Sequence, residues 1–247
     1  LSKNILITGA SSGLGEGMAR EFAAAGHNLA LCARRVERLK TLRKELMAQH
    51  DVRVELRDLD VNDHDRVFEV FRDFTAVLGS LDRVIVNAGV GDGRRIGTGH
   101  FEHNRRVMET NLVAALAQCE AAVEIFRAQG RGHLVLVSSM SAVRGLPRSM
   151  TAYAASKAGL SHLAEGIRAE LMNTPIKVTT LLPGFIRTEL NEDADKMPFE
   201  VDAQTGSRAM VRAIEAEKTT ACVPAWPWRP IGWLLKILPL RMIARYG

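Results

Sequence analysis

The stretch "NILITGASSGLGEGMAREFAA", residues 4–24, decides the fold. "NILIT" (4–8) is a short β-rich run, of the kind expected of a strand covered on both faces. From Gly13 to residue 25 the apolar residues fall at helical spacing. Between them lies a turn in which Gly9, Gly13 and Gly15 form GxxxGxG. Glycine lets the backbone bend sharply and approach a ligand closely, while the free N–H groups and dipole of the following helix favour an anion such as a pyrophosphate. A tight strand–helix turn with no ligand reads the same in isolation. Its place at the first strand–helix junction favours the ligand.

Working outward, six more β-rich runs follow: 28–33, 52–56, 83–87, 133–138, 177–182 and 219–222. Helical spacing covers 13–25, 35–49, 63–79, about 101–128, 152–173 and 204–217. Such alternation predicts an α/β fold with a seven-stranded parallel sheet and helices on both faces. The length of 247 residues, without repeat or linker, fits one domain over residues 1–224, followed by an apolar, basic tail over 225–247. Cys32, Cys119 and Cys222 lie far apart in apolar surroundings and read as free thiols in a reducing compartment. The opening "KNILITGA" lacks the pattern of a signal peptide, and no apolar run reaches the roughly 20 residues of a membrane span. A cytoplasmic location is the expectation.

The net charge is +5, but Arg229, Lys236, Arg241 and Arg245 supply four of these charges within the acid-free segment 222–247. The remaining chain is nearly neutral, with no basic face interleaved with base-stacking groups, so nucleic acid is not an expected partner. His100 and His103 have no further ligand pattern beside them, and no metal is expected.

At the end of the second strand, "LCARRVERL" has Ala33 where a carboxylate would bind the ribose hydroxyls of NAD. Arg34 and Arg35 follow. Cations at a helix start oppose its dipole, and a bound 2′-phosphate would remove that conflict. The expectation is NADP(H), with Arg34 as first contact and Arg35 as support; solvated surface arginines are the plainer alternative. In "TAYAASKAGL" (151–160), Tyr153 and Lys157 stand four residues apart and share a helix face. An ammonium about 4 Å away, at an effective dielectric of about 20, favours a phenolate by at most about 4 kcal/mol. That would bring the phenol from about 10 to near 7 and make it a usable proton donor. The small Ala154, Ala155 and Ser156 between them would let a substrate or cofactor lie close.

With these residues in hand, the chain closely resembles the short-chain dehydrogenase/reductase family from about residue 3 to 224. The resemblance rests on "TGASSGLG" (8–15), "LDV" (59–61), "NAG" (87–89), "TNL" (110–112), "VSS" (137–139), "YAASK" (153–157) and "PGFIRT" (183–188). It implies a single Rossmann-type doubly wound domain in which Gly9, Ser11, Ser12, Gly13, Leu14 and Gly15 line the cofactor. It implies further that Asp60 bonds the adenine amine beside Val61, and that Asn87, Ala88 and Gly89 close the fourth strand against the cofactor. Pro183, Gly184, Ile186 and Thr188 would embrace the nicotinamide and pyrophosphate. In the implied chemistry Ser139 orients the substrate oxygen, and Tyr153 exchanges a proton with it. Lys157 lowers the phenol's pKa and holds the nicotinamide ribose, while Asn111 holds a water linking Lys157 to solvent. The gap from Ser139 to Tyr153 is one residue longer than the family's usual spacing, which leaves Ser138 and, more remotely, Ser141 as substitutes.

The expected activity is therefore interconversion of a carbonyl and an alcohol with NADP(H). A 3-oxoacyl-thioester reductase and a non-catalytic NADP-binding module are the alternatives. The family also implies a homo-oligomer, tetramer or dimer, built through 101–128 and 152–173. Residues 189–206 are expected to form a substrate lid. The tail carries all three tryptophans and a helix-breaking Pro239. It reads as a membrane-surface contact, an oligomer contact, or a cover over its own subunit's pocket.

Overall fold

The computed structural model of the protein describes residues 2–189 and 197–244. Seven strands form a single sheet: β1 (Asn4–Thr8), β2 (Asn28–Ala33), β3 (Val54–Asp58), β4 (Arg83–Val86), β5 (Gly132–Val137), β6 (Ile176–Pro183) and β7 (Thr220–Val223). Their order is β3-β2-β1-β4-β5-β6-β7, and every neighbouring pair is parallel. The order reverses between β1 and β4, which is where open α/β sheets leave a crevice for ligands.

Alternate strand residues feed two cores. Ile5, Ile7, Leu29, Leu31 and Val135 pack under α1 (Gly13–Ala24), α2 (Val36–Gln49) and α7 (Ala203–Glu215). Leu6, Ala30, Val84, Val86 and Leu134 pack under α3 (His64–Leu78), α5 (Ala114–Gln129) and α6 (Met150–Glu170). Both faces are covered, which is why the strands read as apolar runs.

Three boundaries depart from the sequence reading. The third strand lies two residues later than 52–56, because Val52 caps its loop through a bond to the His50 carbonyl and Leu29 pairs with Val54. The long helix expected over 101–128 is broken into α4 (Phe101–Met108), a π-helical turn (Glu109–Val113) and α5. A 3₁₀ turn (Met140–Val143), absent from the sequence reading, follows β5. The tail folds as α8 (Ala225–Ile237) and α9 (Leu240–Ile243), parted at Leu238–Pro239 as the proline requires. Arg245 lies outside the described residues, as do 190–196 of the expected lid. Residues 203–206 of that segment are the first turn of α7.

Candidate active site

Because the strands are parallel, the loops after β1, β4, β5 and β6 all leave the same edge of the sheet. The first runs from Gly9 to Ser12. Gly9 and Gly13 have φ of +65° and +56°, the left-handed region that glycine adopts without strain. A methyl on Gly9 would stand 2.9 Å from the Ala88 Cα, and one on Gly15 would stand 2.5 Å from the Gly9 carbonyl. Asn87 holds the two loops together: its Nδ2 donates to the Thr8 carbonyl at 2.9 Å, while its N–H and that of Ala88 each donate to Thr8 Oγ1 at 3.1 Å. Leu14 is half-buried against the core beneath.

The donor set above this turn suits an anion. Ser12 opens α1 without a side-chain cap, so the first N–H groups of the helix keep no partner from it. Arg35 reaches over the turn, donating from Nε to Ser11 Oγ at 3.3 Å and from Nη2 to Ser12 Oγ. Its Nη1 also meets Glu189, which Arg38 engages as well, and these hydrogen bonds hold the Glu189 carboxyl below its usual range. Arg34 is 67% exposed and only approaches Asp60, at 3.9 Å. Arg35, not Arg34, is thus the arginine on the turn, and Arg38 is a cation the sequence reading missed. Its spacing from Arg35, three residues along α2, was the available signal. Asp60 Oδ1 accepts from the Asn62 N–H and Nδ2, and Val61 is buried beside it.

At the end of β5 the three serines separate. Ser138 Oγ donates to the Lys157 carbonyl at 2.8 Å and meets Ser161 Oγ at 2.9 Å, so it ties the strand to α6. The Ser141 hydroxyl is buried and unpartnered among the described residues. Ser139 caps the 3₁₀ turn, accepting from the Ser141 N–H at 3.1 Å, and its side chain lies beside the Tyr153 phenol, on whose pKa it acts downward. Ser139 keeps its place beside the phenol despite the longer spacing.

Lys157 is 5% exposed, with Nζ 5.9 Å from the centroid of the Tyr153 ring. The electrostatics differ from the expectation. Burial pushes the phenol above its usual pKa, opposed only by Ser139. Burial likewise lowers the ammonium to about 8, and it donates to the Val137 carbonyl at 2.9 Å. Lys157 therefore does not hold the phenol near 7 in the protein itself. At this distance and depth desolvation outweighs the charge.

Asn111 is 1% exposed on the π-helical turn, where the Ala114 N–H donates five residues back to Glu109. Its Oδ1 accepts from the Val90 N–H at 2.8 Å, and Nδ2 donates to the Val90 carbonyl and to Ser156 Oγ. The side chain is thus committed to protein partners, and water held at this position would have to come to the backbone. Gly89 passes between this amide and Lys157: a methyl there would lie 3.0 Å from Asn111 Oδ1 and 3.4 Å from Nζ. Ala154 and Ser156 are buried against the fold, so their small size serves helix packing; Ala155 alone faces out, into a groove of about 600 Å³.

After β6, Pro183 ends the strand and Gly184 lies under the Trp228 indole, which packs edge-on against Phe185 at 5.0 Å. Ile186 is buried, and the Thr188 side chain faces Gly13, 3.4 Å from where a methyl there would sit. A methyl at Gly184 would overlap the indole. Gly184→Ala should therefore destabilise the protein by about 1–3 kcal/mol and expose Trp228, checked by the urea midpoint and by red-shifted tryptophan emission; unchanged values would mean the tail does not rest there.

A glycine-rich strand–helix turn and a phenol beside a buried ammonium share one edge of the sheet, an arrangement suited to hydride transfer from a dinucleotide, and the class it points to is the nicotinamide-dependent oxidoreductases. The chain belongs to the short chain dehydrogenase family, which it matches over residues 3–198. It is 51% identical over 246 residues to the "Uncharacterized oxidoreductase" of Mycobacterium tuberculosis (strain ATCC 25618 / H37Rv), covering 99% of this chain and 97% of that protein. An oxidoreductase of Myxococcus xanthus (strain DK1622) is 36% identical, over 96% and 93% of the two chains. Among solved structures, the alcohol dehydrogenase from the archaeon Thermococcus sibiricus complexed with 5-hydroxy-NADP superposes with a TM-score of 0.81 at 26% identity, covering 90% of this chain and 96% of that one.

Proposed function

We propose that the protein interconverts a carbonyl and an alcohol using NADP(H). The observation that carries this reading is the buried Lys157 ammonium 5.9 Å from the centroid of the Tyr153 ring, with Ser139 beside the phenol, at the sheet edge that also bears the glycine-rich turn. The nicotinamide supplies the hydride. Ser139 orients the substrate oxygen, and Tyr153 gives it a proton. A phenol raised by burial stays protonated at neutral pH, which is the state reduction needs at the start. The phenolate left behind is stabilised by the Lys157 ammonium, by on the order of a few kcal/mol at an effective dielectric of about 20.

The 2′-phosphate is assigned to Arg35 first, with Arg38 and Arg34 beside it. Arg35 already donates to both serines of the turn, and Ala33 offers no carboxylate to the ribose. Asp60 and Val61 are assigned to the adenine, and Gly9, Gly13 and Gly15 to the pyrophosphate. Arg35→Asp should shift the ratio of NADPH to NADH efficiency by about tenfold or more toward NADH, and Arg34→Asp by less. An unchanged ratio in both would remove the NADP assignment and leave the reaction class standing. Oxidation of NADPH across ketones, aldehydes, quinones and oxoacyl thioesters tests the function itself. Consumption with the thioesters alone would favour the 3-oxoacyl-thioester reductase, and none with any carbonyl would favour a binding module. Val113 and Leu116, exposed along the π-helical turn and α5, support a homo-oligomer formed through these helices.

A further inference from the structure

Among the described residues the tail has two apolar sides, and only one is packed on the fold. Its inner side covers the active-site edge: Trp228 lies on Gly184, a methyl on Gly232 would touch Met140, and Arg144 reaches the Leu238 carbonyl at 3.2 Å. Its outer side presents Trp226, Trp233, Leu234, Ile237, Leu240 and Met242, with the two tryptophans 79% and 66% exposed. Such a cluster along 17 consecutive residues, 226–242, is more than scattered surface residues account for. Arg229, Lys236 and Arg241 are exposed around it, and no acidic residue follows Glu217 in the chain.

We infer that the outer side of α8 and α9 docks on an anionic lipid surface. Tryptophans and aliphatic side chains enter the boundary between headgroups and acyl chains, and the cations meet the headgroup charge. Charge complementarity separates this occupant from a second copy of the chain. A two-fold contact through this side would set the cations against their own counterparts, and α8 and α9 hold no carboxylate to pair with them. No helix among the described residues is long and apolar enough to cross a membrane, so the contact is interfacial. The consequence is spatial: the helix that roofs Gly184 and Met140 is the one that rests on the lipid, so the active-site edge opens beside it.

Removing the tail would unroof Gly184, so exposed single positions are the better probes. The full chain is mixed with vesicles of phosphatidylcholine alone or containing phosphatidylglycerol, sedimented, and its self-association followed in parallel by analytical ultracentrifugation. The wild type should sediment with the phosphatidylglycerol vesicles at least about tenfold more than with the neutral ones, and release as salt rises. Trp233→Ser and the triple variant Arg229→Glu, Lys236→Glu, Arg241→Glu should each lose most of this binding with an unchanged melting temperature. Absence of wild-type sedimentation, or equal sedimentation by the variants, overturns the inference. So does wild-type self-association that Trp233→Ser abolishes, because a second copy would then cover this side. None of these readouts depends on turnover, so the result stands apart from the proposed reaction.

Discussion

Tyr153→Phe should lose about 10³-fold in turnover while binding NADPH as tightly as the wild type. Positioned acid–base groups contribute about 10²–10⁴-fold, and Tyr153 is the only tyrosine among the described residues. The variant keeps the half-buried ring and removes only the oxygen. Ser139 retains its bond from the Ser141 N–H, so the 3₁₀ turn has no reason to move. The glycine-rich turn is held by Asn87 and Thr8 rather than by α6, so cofactor affinity should be unaffected. Turnover is read from NADPH absorbance and affinity from quenching of tryptophan emission. Turnover within about threefold of wild type would end the role of Tyr153 as proton donor.

Lys157→Met should move activity and stability in opposite directions. Without the ammonium the phenolate loses on the order of a few kcal/mol of stabilisation, or about 100-fold in turnover. Stability should rise, because the folded protein buries a charge that the unfolded chain keeps in water. The folded pKa of about 8 lies below the model value of 10.5. Below pH 8 both states are charged and the folded state bears the full desolvation cost. Between 8 and 10.5 the unfolded chain holds the extra proton, so wild-type stability rises with pH as this cost is relieved. The variant should therefore be more stable at pH 7 by up to about 3 kcal/mol, with the advantage shrinking from pH 8 to 10.5. A difference that does not change with pH would assign the effect to packing alone. The same group predicts that wild-type reductive kcat/KM falls as pH rises through about 8.

How much of this was legible beforehand depends on which physical quantity set each feature. Continuous apolar runs and helical spacing are local, and they located seven strands and the doubly wound sheet. The third strand slipped by two residues because Val52 is apolar for packing, not for pairing. The break at 109–113 was hidden because it follows from burying the Asn111 amide against Val90, a contact between segments 21 residues apart. Ser139 was separable from Ser138 only once the latter was seen bonded to α6. Sequence spacing put Tyr153 and Lys157 on one face, yet it carried no measure of burial, which reverses the expected direction for the phenol. The sequence reading put Arg34 first and Arg35 in support, with no measure of where either side chain goes; in the fold Arg35 lies across the turn and Arg34 is largely in solvent. The tail's composition was visible from the start, but its division into a covering side and an exposed side required Gly184 and Met140 beneath it.

The most direct test of the central claim follows the label from NADPH deuterated at one face of the nicotinamide C4, with a ketone turned over in ordinary water. Hydride transfer beside Tyr153 predicts deuterium on the carbinol carbon from one of the two faces only, with a single product configuration and the hydroxyl proton drawn from solvent. Product carrying no deuterium from either labelled cofactor, or a racemic carbinol labelled from both, would contradict it.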